Sequence, residues 1–183
     1  EAGISFPTSY IPTTSATVTR AADVASMTGT NFSSWFNGTT GTFYGEGDVI
    51  TSTPNAYSFM LEGIAGGGVG TISMGTGTNG TTNFGMNARI GGASNNSNES
   101  IAYTYSTSTV IKAAISYDGT PSAGLVLAGN VITANAVSAA STATSLSIGS
   151  RNAGSANLWN GHVRRIVFFN TKVPNTQMQT MTT

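Results

Sequence analysis

The chain has no cysteine, one histidine and little charge. The missing cysteines exclude a disulfide framework and any thiolate metal site. A single histidine leaves zinc without its usual nitrogen ligands, so stability has to come from the core. Only 8% of the residues are charged, seven basic and seven acidic with no run of either sign, where an ordinary soluble domain carries about a quarter. This argues against a nucleic-acid footprint or a polybasic membrane patch. No apolar stretch approaches the roughly 18 residues that span a bilayer, and the first residues have neither the charged nor the apolar region of a signal peptide. The chain begins at Glu1 and is read as a processed chain or a piece of a longer protein.

What is present is threonine, serine, asparagine and glycine around short apolar runs. A length of 183 residues suits one domain with a two-sheet core. Residues 1–14 hold Pro7 and Pro12 in a polar stretch and read as an extended arm or linker from an upstream module; residues 15–183 read as the folded domain. Strands are predicted over Thr17–Met27, Gly41–Thr51, Ala56–Ile64, Val69–Met74, Asn83–Ile90, Ile101–Tyr105, Val110–Tyr117, Gly124–Leu127 and Val131–Val137. Glycine-rich turns separate several of them, and Gly29–Gly41 reads as a loop in which Trp35 and Phe36 either plug the end of the core or face a ligand. No segment holds a 3.6-residue period for long, so pattern alone gives an all-β sandwich or barrel.

In Gly41–Thr51, Phe43, Gly45, Gly47 and Val49 fall on one face and Tyr44, Glu46, Asp48 and Ile50 on the other. Glycine is costly in a strand unless another backbone packs close. The stretch from Leu146 carries the densest signal: an alternating strand at Leu146 and Ile148, a polar loop over Gly149–Asn160, a strongly β-prone run over Gly161–Phe169, and a tail able to form a helical turn. Val163 and Ile166 break strict alternation. Either both faces of that strand are covered, or a bulge near Arg164 and Arg165 resets the register.

The order Gly149-Ser150-Arg151, then N-G-H-V-R-R-I over Asn160–Ile166, two aromatics and a polar segment ending Gln177-Met178-Gln179-Thr180-Met181 resembles the end of concanavalin A-like, laminin G-like jelly rolls of bacteriophage tail and other virion proteins. The segment F-P-T-S-Y-I-P-T-T-S-A-T-V-T-R-A-A-D-V, from Phe6 to Val24, is similar to the linker and first strand that open such domains. The resemblance implies a two-sheet antiparallel β-sandwich of the concanavalin A-like jelly-roll type. In related β-glucanases a third carboxylate follows a core E-x-D on the same strand face. Here that position is Ile50, so the pair Glu46 and Asp48 is incomplete as a catalytic set; it is left to bind calcium or sugar hydroxyls, or to be an ordinary solvated face.

Trp159 is the preferred candidate for a ligand contact, with Arg151 and Asn157 close in sequence: ring stacking supplies affinity to a sugar, and planar polar groups supply orientation. The alternative is that Trp159 covers the open end of the sandwich. Tyr44, Glu46 and Asp48 complete the tentative carbohydrate-binding set. His162 has no G-x-S-x-G elbow beside it and reads as structural. No metal site and no cofactor are expected, a structural calcium being the one ion left open. The expectation is a non-catalytic virion domain, in a tail fibre, tailspike or surface appendage, that adheres to host-surface glycan beside other virion subunits, with homotrimerisation suggested by that context. A purely structural decoration or oligomerisation domain, and an accessory module of a secreted bacterial hydrolase, are the alternatives.

Overall fold

The computed structural model describes residues 24–50, 58–65, 69–76, 89–90, 109–118, 123–134, 142–150, 158–159 and 161–183. Their elements are β1 (Ala25–Thr28), α1 (Thr30–Ser33), β2 (Gly41–Val49), β3 (Ser58–Ala65), β4 (Val69–Thr76), β5 (Arg89–Ile90), β6 (Ile111–Tyr117), β7 (Ala123–Leu127), β8 (Asn130–Ala134), β9 (Ser145–Ile148), β10 (Gly161–Phe169) and α2 (Asn175–Thr182). The strands form two five-stranded sheets, ordered β1-β9-β3-β4-β5 and β10-β2-β6-β7-β8. Every described pairing is antiparallel. This is the two-sheet antiparallel sandwich that the resemblance implies, where the strand pattern alone allows a sandwich or a barrel. The predicted strand over Ile101–Tyr105, residues 1–23 with the arm and most of the first predicted strand, and most of Asn83–Ile90 lie outside the described residues.

Alternation places the core. Phe43 and Val49 of β2, and Ile111, Ala113, Ile115 and Tyr117 of β6, point inward against Met60, Leu61, Ile72, Met74 and Leu146 of the other sheet. The glycines of β2 make room for that layer. A Cβ on Gly47 would stand 2.8 Å from the His162 carbonyl oxygen, the close backbone approach expected of a strand glycine. At Gly45 the neighbour is instead the Met60 sulfur, at 2.5 Å.

The loop predicted over Gly29–Gly41 contains the single helical turn α1, whose Phe32 is buried. Trp35 and Phe36 pack with it against Phe43 and Phe168, plugging the core. At the other end of the chain, Pro174 fixes the backbone at the start of α2. Met178 and Thr182, one turn apart, are its buried positions. Met178 joins Tyr44, Ala114, Val126 and Val173 in a second apolar cluster on the outer face of the β2 sheet. Thr42 ties this layer down: its hydroxyl donates to the Thr171 carbonyl at 2.9 Å and accepts the Val173 N–H at 2.8 Å.

Candidate functional site

β2 and β10 meet in a register with one fault. His162 faces Asp48 and Val163 faces Gly47, but Glu46 faces Arg165, so Arg164 is the extra residue of a bulge. The bulge returns Val163, Ile166 and Phe168 to the core side, which resolves the phase break in the sequence. Arg164 is thereby aimed at Asp48.

Asp48, which the sequence offers as a sugar or calcium contact or as part of a solvated face, is 2% exposed. One of its oxygens accepts the His162 backbone N–H at 3.2 Å and lies 2.8 Å from the ring Nδ1. The other accepts from Arg164 Nε at 2.9 Å and Nη2 at 2.7 Å. Burial alone would raise the Asp48 carboxyl, but the hydrogen bonds from His162 and Arg164 outweigh it and hold the group below its ordinary range. The Tyr44 hydroxyl donates to Glu46 at 2.7 Å; its burial, then that bond, push its own titration far up. Arg165 stands 3.7 Å from the same Glu46 oxygen. Both carboxylates of the E-x-D pair are thus engaged in holding β10 and Tyr44. Among the described residues no group of three or more His, Cys, Asp and Glu converges as metal ligands do.

Trp159 is 7% exposed and belongs to the core. Its indole N–H donates to the Asp48 carbonyl at 2.9 Å and its backbone N–H to Gly149 at 2.8 Å. The ring expected to stack on a sugar is therefore packed inside the sandwich, close to Asp48 but turned away from solvent. Arg151 and Asn157 lie outside the described residues.

A different tryptophan stands at an opening. Between β1 and β10, the edge strands of the two sheets among the described residues, lies a cavity of about 780 Å³, within the roughly 300–1,000 Å³ of small-ligand pockets. Its floor includes Leu146, Ile148, Val163 and Phe168. Half-buried Trp35 stands at one side, its indole N–H fixed on the Asn31 carbonyl at 2.7 Å. Arg164, Arg165 and Asn170 are also among its lining residues. The sequence reading leaves Trp35 open between plug and ligand contact, gives Arg164 and Arg165 a part only in a bulge, and gives Asn170 none. Two adjacent arginines beside a phase break were the available signal, but nothing local marks β10 as an edge strand.

No protein-family profile and no curated protein matches the chain. Among solved structures it is similar to the CBM40 domain of a Ruminococcus gnavus IT-sialidase bound to α2,3-sialyllactose, at 15% identity and TM-score 0.57, over 79% of this chain and 83% of that one. It is similar to domain 4 of an extracellular arabinanase from Geobacillus stearothermophilus in complex with arabinotriose, at 10% identity and TM-score 0.56, over 81% and 69%. It also matches Trypanosoma rangeli sialidase at 13% identity and TM-score 0.54, covering 78% of this chain but only 22% of the sialidase. Identities this low speak for architecture alone: the chain is an all-β sandwich of the jelly-roll kind.

Proposed function

We propose that this sandwich is a non-catalytic carbohydrate-binding module that takes its ligand in the groove between β1 and β10. The observation that carries the reading is a cavity lined by half-buried Trp35 together with Arg164, Arg165 and Asn170. An aromatic face and planar polar donors are the two components a sugar site requires. Support comes from the solved neighbours, since two of them are modules or domains holding an oligosaccharide. The engagement of Asp48 and Glu46 in structural bonds, with Ile50 where a third carboxylate would stand, supports the non-catalytic part of the reading.

For its setting we propose the exterior of a bacteriophage virion, as part of a tail fibre or tailspike, on the two stretches that resemble such proteins. There the ligand is host-surface glycan, and repeated copies in a trimer raise the effective concentration of a shallow site. The sialidase and arabinanase origin of the neighbours favours a second setting, an accessory module of a secreted hydrolase. A glycan array probed with the native chain and Trp35→Ala tests the function in either setting. Specific binding that falls in the variant supports it; a folded native chain that binds no glycan overturns it.

A further inference from the structure

We infer, resting on the carbohydrate reading above, that the saccharide is an acidic one whose carboxylate is received by Arg164 with Arg165 beside it. The groove has a one-sided charge. Among the described residues that line it, the charged ones are Arg164 and Arg165, and none is acidic. The whole chain has only seven lysines and arginines, so two at one opening is a concentration of positive charge. Asp48 and Glu46, their countercharges, reach them from β2, which lies inside the sheet, and are not part of the lining.

The bulge is what gives Arg164 its double position. As the extra residue of an edge strand it reaches Asp48 and also borders the groove. Asp48 takes Nε–H and one N–H of Nη2, both onto a single oxygen. A guanidinium has five N–H donors, so three are not used by Asp48, and the Arg164 side chain remains 49% exposed. Because Asp48 is buried and its other oxygen is occupied by His162, the guanidinium is held in one orientation before a ligand arrives. An immobilised fork is the group best matched to a planar carboxylate. Arg165 is 63% exposed and its contact to Glu46, at 3.7 Å, is too long for a hydrogen bond. It is available to turn toward the same anion, while Trp35 covers a sugar face.

The test uses matched probes: trigalacturonate and 3′-sialyllactose, each against its carboxyl-methylated form, titrated into the native chain, Arg165→Ala, Arg164→Lys and Trp35→Ala. Loss of one charge-assisted contact corresponds to about tenfold in affinity. At least one acidic probe is expected to bind about tenfold more tightly than its ester, with the difference shrinking at high salt. Arg165→Ala and Arg164→Lys are expected to erase that difference, and Trp35→Ala to weaken acid and ester alike. Arg165→Ala removes only a long surface contact, so it reads the effect even if Arg164→Lys disturbs the fold. If the native chain binds neutral glycans on an array as tightly as acidic ones, the acidic assignment is overturned and the carbohydrate reading stands. If the folded chain binds no glycan at all, both fall.

Discussion

The carbonyl oxygen of Asp48 accepts the indole N–H of Trp159 at 2.9 Å. Since the carboxylate of the same residue holds His162 and Arg164, one residue of β2 fixes both the approach to β10 and its first turn of pairing. Trp159 therefore acts on the fold alone, whereas Trp35 both packs on the core and borders the groove.

The two tryptophans are expected to separate in experiment. Trp159→Phe keeps most of the ring but removes the donor, and should cost about 1–2 kcal/mol in urea unfolding with glycan affinity unchanged. In that variant Trp35 is the only tryptophan left, so its emission should shift as glycan is titrated. An emission that stays constant while binding is seen by calorimetry would move the ligand away from Trp35.

Asp48 gives a pH signature. Its carboxyl titrates below its ordinary 3.8 in the folded chain, so its contribution is complete above about pH 4 and is lost as the pH falls through the folded value. At pH 7, Asp48→Asn is expected to lower stability by about 2 kcal/mol, toward the low end for bonds to charged groups because Arg164 is half exposed. The gap between native and variant should close in acid. Urea midpoints measured from pH 7 down to pH 2 check this, and a gap that persists at pH 2 would mean that Asp48 acts by shape and not by charge.

The sequence made the strands legible where the signal is local. Alternation in Gly41–Thr51 and Val110–Tyr117 separates the two faces of β2 and β6, and the phase break between Val163 and Ile166 allows two readings, of which the structure has the bulge. Partnership was not legible. Asp48 and Arg164 are separated by 116 positions, and only the pairing of β2 with β10 makes one the anchor of the other. The groove is harder still, because it lies between β1 and β10, strands of different sheets that are far apart in the sequence. Trp159 sits in a polar run, which suggests exposure; a long-range bond to Asp48 draws it inside. The turn α1 is four residues long, too short for helical periodicity to register.

Two glycines are expected to respond differently to alanine. A Cβ on Gly161 would overlap the Asp48 carbonyl oxygen and crowd the Asp48 and Val49 backbone. Backbone against backbone leaves no rotamer to yield, so Gly161→Ala should separate the start of β10 from β2 at a cost of about 3 kcal/mol or more. Gly29 has φ +57 and ψ −140, a backbone region that side-chain-bearing residues avoid, and nothing within 4 Å of its would-be Cβ, so Gly29→Ala bears only that backbone strain, about 1–3 kcal/mol. Denaturant unfolding of the two variants should show Gly161→Ala as the more damaging. Equal losses would mean that β10 shifts freely along β2.

Thr42 is buried in β2, and its single hydroxyl satisfies the Thr171 carbonyl and the Val173 N–H together. Thr42→Val preserves the branched shape and leaves both backbone groups without that partner, at about 1–3 kcal/mol each for a buried unsatisfied group. Because Val173 and Met178 share the cluster under α2, the loss should appear as early release of the helix. Amide exchange in residues 173–182 is expected to quicken well before that of β6. Exchange that quickens uniformly through both would instead make α2 part of the same cooperative unit as the sandwich.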